Sequence, residues 1–312
     1  MIDGVDYNVI RVVGKGGFGV VYEAVRASDG ARVAIKFMPN VEEDDVRAGM
    51  EEMKALVALQ DHPNIMPILG LIVRNESRHD DGEMHDNAII NSAGKNLAAP
   101  ATAHPRGSSP MDQDHCIIII TPYYEEGDLR KYVNSFRAAG RQFPMSKALT
   151  VGIALCDAIA FAHANKVAHR DIKPENVLLA ENFTKIVLTD FGLSKVMEHA
   201  NETLRTRAGS LPFVAPECFR GSYRKEVDNW SLGCLLYAIA TQCVDADNTK
   251  MMYQCVGRSD FRESILRALA HYDRRYADVV LGLVRKDPLD RMSLCDAKAK
   301  LQEIQASVDV LP

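Results

Sequence analysis

His169-Arg170-Asp171-Ile172-Lys173-Pro174-Glu175-Asn176 is the stretch from which the rest of this 312-residue chain is read. Upstream of it, apolar residues recur at helical spacing over 146 to 164. Downstream come two short apolar runs, Val177-Leu178-Leu179 and Ile186-Val187-Leu188, which predict a hairpin leading into Asp190-Phe191-Gly192. Further out the two halves differ in character. Residues 7 to 38 alternate, with β-branched types and Gly-rich or Asp-Gly punctuation at 14 to 19 and 29 to 30, which predicts antiparallel hairpins. Over 41 to 59, Met50, Met53, Leu56, Val57 and Leu59 take helical spacing behind the acidic Glu42-Glu43-Asp44-Asp45, so one helix interrupts the strands. Ile65 to Val73 and Cys116 to Ile120 have strand length and apolarity. After Glu125 the patterns are chiefly helical: 128 to 138, 146 to 164, 226 to 243, 259 to 269, 273 to 285 and 293 to 307.

Composition narrows the function classes. A net charge of -5 and a pI near 6.0, with no Lys/Arg-rich run, argue against a nucleic-acid-binding surface. A hydrophobic content of 47% is enough for a sizeable core. Seven cysteines, without a CxxC pair or zinc-type spacing, read as reduced thiols. The N-terminus lacks a basic region followed by an apolar stretch, and nowhere do 18 consecutive apolar residues occur, so the expectation is a cytoplasmic or nuclear protein without a membrane span. Residues 74 to 115 carry no sustained period and few aromatics, which predicts a flexible insertion. His79, Asp80, Asp81, His85 and Asp86 lie within it and read as a solvated loop rather than a metal site. No internal repeat is evident, and no feature specifies an oligomeric state.

Two further motifs precede the opening stretch. Gly14-Lys15-Gly16-Gly17-Phe18-Gly19-Val20-Val21 fits GxGxxGxV, in which missing side chains let backbone N-H groups approach phosphates. Val20-Val21-Tyr22-Glu23-Ala24-Val25 then reads as strand, whereas a dinucleotide-binding turn would open a helix there. Val33-Ala34-Ile35-Lys36 puts one ammonium on the next strand. With these motifs in place, His169 to Asn176 resembles the protein kinase family, and its Lys-Pro-Glu resembles the serine/threonine kinases. Further landmarks come in order: Asp190-Phe191-Gly192, Ala215-Pro216-Glu217, Asp228 with Trp230-Ser231-Leu232-Gly233, and Arg291. The resemblance covers nearly the whole chain.

The fold that the resemblance implies is α+β and bilobal. Residues 1-121 would form a small antiparallel-sheet N-lobe with one main helix, carrying the 74-115 insertion. Residues 122-127 would form a hinge and 128-312 a larger, mainly helical C-lobe. The implied activity is transfer of the γ-phosphate of ATP, with Mg²⁺, to serine or threonine hydroxyls of protein substrates in signalling. Asp171 would accept the hydroxyl proton, Lys173 would neutralise charge on the transferring group, and Asn176 and Asp190 would bind Mg²⁺. Lys36 would hold the α- and β-phosphates and pair with Glu52, chosen over Glu51 for its spacing to Leu56. Leu56 would belong to an apolar stack with Leu71, His169 and Phe191.

Gly14, Gly16, Gly19, Val21, Ala34, Leu178, the gatekeeper Thr121, Tyr124 through its backbone and Asp128 at the ribose complete the implied nucleotide set. Pro122 departs from the glutamate usual in the hinge but keeps its carbonyl. Glu217 and Arg291 would form a buried ion pair. Thr203 and Thr206 are candidate phosphorylation sites for an upstream kinase or autophosphorylation, with Arg170 as the phosphate's partner. Glu175 and Asp128 match positions that receive basic residues upstream of a target hydroxyl in related kinases, although Ala238 stands where another acid is common. The alternative is a nucleotide-binding pseudokinase or scaffold, which usually lacks one of Lys36, Asp171, Asn176 and Asp190. All four are present here.

Overall fold

The computed structural model describes residues 5-16, 19-39, 59, 61-75, 89-91, 96-97, 115-191, 211-220, 225-245, 249-250 and 252-309. These residues divide into two compact units, one running to Asp61 and including Met66–Tyr123, the other comprising His62–Ile65 and the residues from Tyr124 onward. The helix expected over 41 to 59 lies outside the described residues, Leu59 excepted.

The first unit is a seven-stranded antiparallel sheet. Its strands are β1 (Tyr7–Gly16), β2 (Gly19–Arg26), β3 (Arg32–Pro39), β4 (Gly70–Asn75), β5 (Ile89–Asn91), β6 (Asn96–Leu97) and β7 (His115–Pro122). The spatial order is β1-β2-β3-β7-β4-β5-β6. β-Branched alternation decides which face is core, because successive side chains of a strand point to opposite sides. Val33, Ile35 and Phe37 of β3 point into one cluster with Ala24, Ile72, Cys116, Ile118 and Ile120. Each large side chain buried there contributes about 1.5–3 kcal/mol. Between β2 and β3, Asp29 closes the turn by accepting hydrogen bonds from the Arg26 side chain and from the N-H of Ala31.

Two features differ from the sequence expectation. The stretch 74 to 115 is not irregular throughout: Ile89, Ile90 and Asn91 pair with Ile72, Leu71 and Gly70, so β5 extends the sheet at the edge of β4. The strand expected from Ile65 to Val73 begins only at Gly70. Pro67 has no N-H to give to a ladder, and His62 to Ile65 belong to the other unit. There Ile65 bridges Leu188, the Asn64 carbonyl accepts from the Leu188 N-H at 2.9 Å, and the Asn64 amide donates to the Ile186 carbonyl at 2.9 Å.

The second unit holds a three-stranded sheet, β8 (Gly127–Asp128), β9 (Val177–Ala180) and β10 (Lys185–Leu188), in the order β10-β9-β8. Its helices are α1 (Leu129–Ala138), α2 (Met145–Ala164), α3 (Val227–Thr241), α4 (Met252–Cys255), α5 (Phe261–Ala268), α6 (Arg274–Leu283) and α7 (Leu294–Asp309). Asp128 caps α1 by accepting the Lys131 N-H at 2.8 Å, and Asp273 caps α6 in the same way. All of α3 from Val227 to Ala240 is buried, with Trp230 at 0% exposure. α2 is long and apolar enough to cross a membrane by length and composition, yet more than half of it is buried against this unit, where it packs on α3 and α7. None of the seven cysteines is in a disulfide, and burial pushes the Cys156 thiol up to about 12.

Candidate active site

In the first unit, strand register gathers the expected nucleotide residues. Val21 stands opposite Lys36, Ala34 opposite Thr121, and Gly14 opposite Val21. Directly opposed residues share a face, so Val21, Ala34, Lys36 and Thr121 line the side of the sheet opposite its Val33, Ile35 and Phe37 core. Gly16 faces Gly19 at the turn end of the β1-β2 hairpin.

The two flanking glycines answer different demands. Gly19 has φ +128°, and a Cβ there would sit 2.1 Å from the Phe37 carbonyl oxygen, so the sheet itself excludes any other residue. At Gly14 a Cβ would meet only Val21 at 3.8 Å, an ordinary contact. Nothing within the described chain requires glycine at 14, which leaves a cradle above the strand that a side chain would fill.

At one end of the same face, Glu23 is 3% exposed and takes hydrogen bonds from Arg11 at 2.8 Å and from Arg32. The Arg32 hydrogen bond, seconded by Arg11, holds its carboxyl below the usual carboxylate range. Arg32 also lies over the Tyr123 ring at 4.5 Å. Sequence reasoning missed this arrangement, since β2 reads as an ordinary strand and one glutamate in it gives no sign of burial.

In the second unit, the opening stretch forms a hydrogen-bonded loop around Asp171. Asp171 Oδ2 accepts from Lys173 Nζ at 2.6 Å and from Asn176 Nδ2 at 3.0 Å, and Asn176 Nδ2 also donates to the Asp171 carbonyl at 2.7 Å. Among the described residues, Asp171 Oδ1 accepts no hydrogen bond. His169 is fully buried; its Nδ1 accepts the Asp171 N-H and its Nε2 donates to the Thr189 carbonyl, which assigns the neutral Nε2-H tautomer.

Phe191 meets the His169 ring edge-on at 4.5 Å between centroids. Asp190, at the end of the β9-β10 hairpin, has φ 61°. Leu178 lies mid-hairpin, opposite Val187 on one side and Asp128 on the other.

The loop's strain is held by a residue far away in sequence. Arg170 has φ 66°, a conformation that costs a non-glycine residue about 1–3 kcal/mol. Asp228 at the start of α3 offsets that cost. Its Oδ1 accepts the Arg170 N-H at 2.7 Å, and its Oδ2 accepts the His169 N-H at 2.8 Å and His163 Nε2 at 2.7 Å. His163, in the last turn of α2, was not anticipated; nothing in the sequence sets it apart from a core histidine.

Glu126 likewise went unread. Its carboxylate accepts the N-H groups of Asn182 and Phe183, which with Glu181 form a run of positive φ in the β9-β10 turn.

Behind the loop, Glu217 and Arg291 form a two-pronged ion pair at 2.6 and 2.8 Å, with the Arg291 side chain at 0% exposure and its guanidinium 5.2 Å from the Trp230 ring centre. Tyr124 is 5% exposed, its carbonyl accepts the Gly127 N-H, and burial pushes its hydroxyl up to about 12. Asp128, expected at a ribose, is engaged in the α1 cap and pairs with Lys131 at 3.1 Å. Glu52, Leu56, Thr203, Thr206 and Ser210 lie outside the described residues.

A glycine-edged antiparallel sheet carrying Lys36, and a helical unit presenting an aspartate tied to a lysine and an asparagine, define the class of protein. Residues 7–301 match the family described as Protein kinase domain, and the chain belongs to that family. Serine/threonine-protein kinase Nek5 of Homo sapiens is 29% identical over 238 residues, which is 75% of this chain and 28% of that protein. Serine/threonine-protein kinase RAD53 of Saccharomyces cerevisiae is 24% identical over 310 residues, 94% of this chain and 32% of that one. Nek5 of Mus musculus is 24% identical over 294 residues, 93% of this chain and 39% of that one. The chain thus spans between 28 and 39% of the length of these relatives.

Proposed function

We propose that the chain is a protein serine/threonine kinase that transfers the γ-phosphate of ATP to hydroxyls of protein substrates in the cytoplasm or nucleus. The observation that carries the reading is the asymmetry of Asp171. One carboxylate oxygen is fixed by Lys173 and Asn176, while the other accepts no hydrogen bond among the described residues. That is the arrangement a base needs: an oriented carboxylate with a lone pair left for an incoming O-H. Asp171 orients the substrate hydroxyl and takes its proton as the oxygen bonds to the γ-phosphorus and the bond to the β-phosphate oxygen breaks. Lys173 opposes the negative charge that develops on the transferring group. Lys36 holds the α- and β-phosphates and pairs with Glu52.

The donor set fits Mg²⁺. The Asn176 amide nitrogen is spent on Asp171, leaving its oxygen, and Asp190 adds a carboxylate; a hard ion that keeps waters and phosphate oxygens needs few protein ligands. When bound, Mg²⁺ supplies charge neutralisation on the phosphates. The open side of Gly14 supports a phosphate beside β1. A phosphate on Thr203 or Thr206, added by an upstream kinase or by the chain itself, is proposed to pair with Arg170 and raise activity.

The test is incorporation of labelled phosphate into a generic protein substrate and into the chain itself. Wild type should incorporate label, and Asp171→Asn and Asp190→Ala should lose at least about a hundredfold. Equal signals from all three would sink the catalytic reading. A silent wild type whose melting temperature still rises with ATP and Mg²⁺ would establish a nucleotide-binding scaffold instead.

A further inference from the structure

Four residues past Asp171, Glu175 sits in the same tight turn as Lys173 and Asn176. Its carboxylate faces Arg130 of α1, which in turn faces Asp245 beyond α3. Arg130 Nε lies 3.7 Å from Glu175 Oε1, and Arg130 Nη1 lies 3.7 Å from Asp245 Oδ1. Both separations exceed hydrogen-bond length, whereas a guanidinium fitted to a carboxylate makes bonds of about 2.7–2.9 Å. The misfit leaves traces: Arg130 Nε and Glu175 Oε2 are buried and have no hydrogen-bond partner among the described residues. Such atoms cost free energy unless a partner arrives.

Charge over this face is balanced. Asp128, Glu175 and Asp245 are set against Lys131, Arg130 and Arg137, with Lys131 3.1 Å from Asp128 and Arg137 3.5 Å from Asp245. Asn134 adds a hydrogen bond of 3.0 Å to Asp245.

We infer that Arg130 is a resident cation occupying a carboxylate pair that would otherwise receive a basic side chain of the substrate, and that it turns peptide selection away from basic residues beside the acceptor. The inference rests on the reading of Asp171 as the catalytic base, because that reading puts the substrate hydroxyl a few residues from Glu175. A strand advances about 3.3 Å per residue, so side chains flanking the acceptor come within reach of Glu175. An incoming guanidinium then meets Arg130 already there and is repelled. Without Arg130, Glu175 loses the guanidinium that faces it, while Asp245 keeps Arg137 and Asn134.

The experiment uses the full chain and a set of one-acceptor peptides with arginine or alanine at each flanking position in turn, compared across wild type, Arg130→Met, Arg130→Gln and Arg130→Met/Glu175→Gln. Wild type should show kcat/KM ratios for arginine over alanine near or below one. Each single variant should raise that ratio by about tenfold at one or more positions, more at low salt, through KM rather than kcat. The double variant should lose the gain. An unchanged ratio in both single variants, a wild type already preferring arginine tenfold, or a gain surviving Glu175→Gln would overturn the inference. Equilibrium binding of the labelled arginine peptides is measured in parallel. If no protein phosphorylates any peptide yet binding tightens in the Arg130 variants, the catalytic reading fails and this one stands; if phosphorylation is normal and neither ratio nor binding moves, the reverse holds.

Discussion

Asp228 is a carboxylate at 0% exposure whose charge is borne by three donors, two of them backbone N-H groups of the loop that carries Asp171. Replacing it by asparagine keeps the shape but turns one acceptor oxygen into a donor that faces another donor. Asp228→Asn should therefore lower unfolding free energy by about 2–3 kcal/mol and cut phosphate transfer by about a hundredfold, because Arg170 can no longer hold its positive φ cheaply. Urea denaturation followed by circular dichroism, alongside the labelled-phosphate assay, checks both. Normal activity would mean that the loop holds its own shape. The sequence marked Asp228 only as a landmark. Its partners are main-chain groups 58 and 59 residues away, and backbone donors leave no signature in a sequence. Asp171, Lys173 and Asn176 were legible because all three lie within six consecutive residues of one loop. Arg130, Asp245 and His163 were not, because each acts only after distant elements have packed; Glu23 was not, because only the register of β1, β2 and β3 brings Arg11 and Arg32 to it.

At the scale of elements, the two glycines of the β1-β2 hairpin separate folding from binding. Gly19→Ala forces a Cβ into the Phe37 carbonyl and should destabilise the first unit by about 2–4 kcal/mol. Gly14→Ala should melt within about 0.5 kcal/mol of wild type while weakening ATP binding severalfold, as thermal melts and nucleotide titration would reveal. Loss of stability in both would remove the argument for an open cradle at 14. The β2-β3 turn offers a pH test. Arg26, and then the Ala31 N-H, hold the Asp29 carboxyl down at about 2, below its ordinary value of 3.8. Its contribution is fully present above 3.8 and disappears as pH falls through 2. Asp29→Asn should thus be less stable than wild type at pH 6 and nearly matched to it near pH 2; a gap that widens on acidification would contradict the assignment. Helices were legible because 3.6-residue periodicity survives in α1, α5 and α6, and because the apolar runs of α2 and α3 are too long for strands. Strands β5 and β6 were not, since Ile89-Ile90 and Asn96-Leu97 are too short to show a period and are strands only through pairing with β4 and with each other.

For the whole molecule, the Glu217-Arg291 pair is a long-range tie within the second unit, spanning 74 residues. Removing Glu217 strands a guanidinium at 0% exposure, although the Glu226 and Arg285 carbonyls still accept from it. Stranding a buried charge costs about 3–5 kcal/mol, and with those carbonyls the lower figure applies, so Glu217→Ala should melt roughly 6–12 °C below wild type by calorimetry. Adding Arg291→Met should restore part of that loss, since an apolar side chain needs no partner; a double variant worse than the single would refute the stranded-charge account. The sequence paired these two residues correctly, but it gave no hint that Trp230 lies beside them. That neighbour has an optical consequence. Trp230 is the chain's one tryptophan, and it is sealed inside α3 of the second unit under a cation. Emission excited at the red edge of the indole band therefore reports on the helical unit alone, and a spectroscopist tracking the glycine hairpin will have to install a fluorophore there.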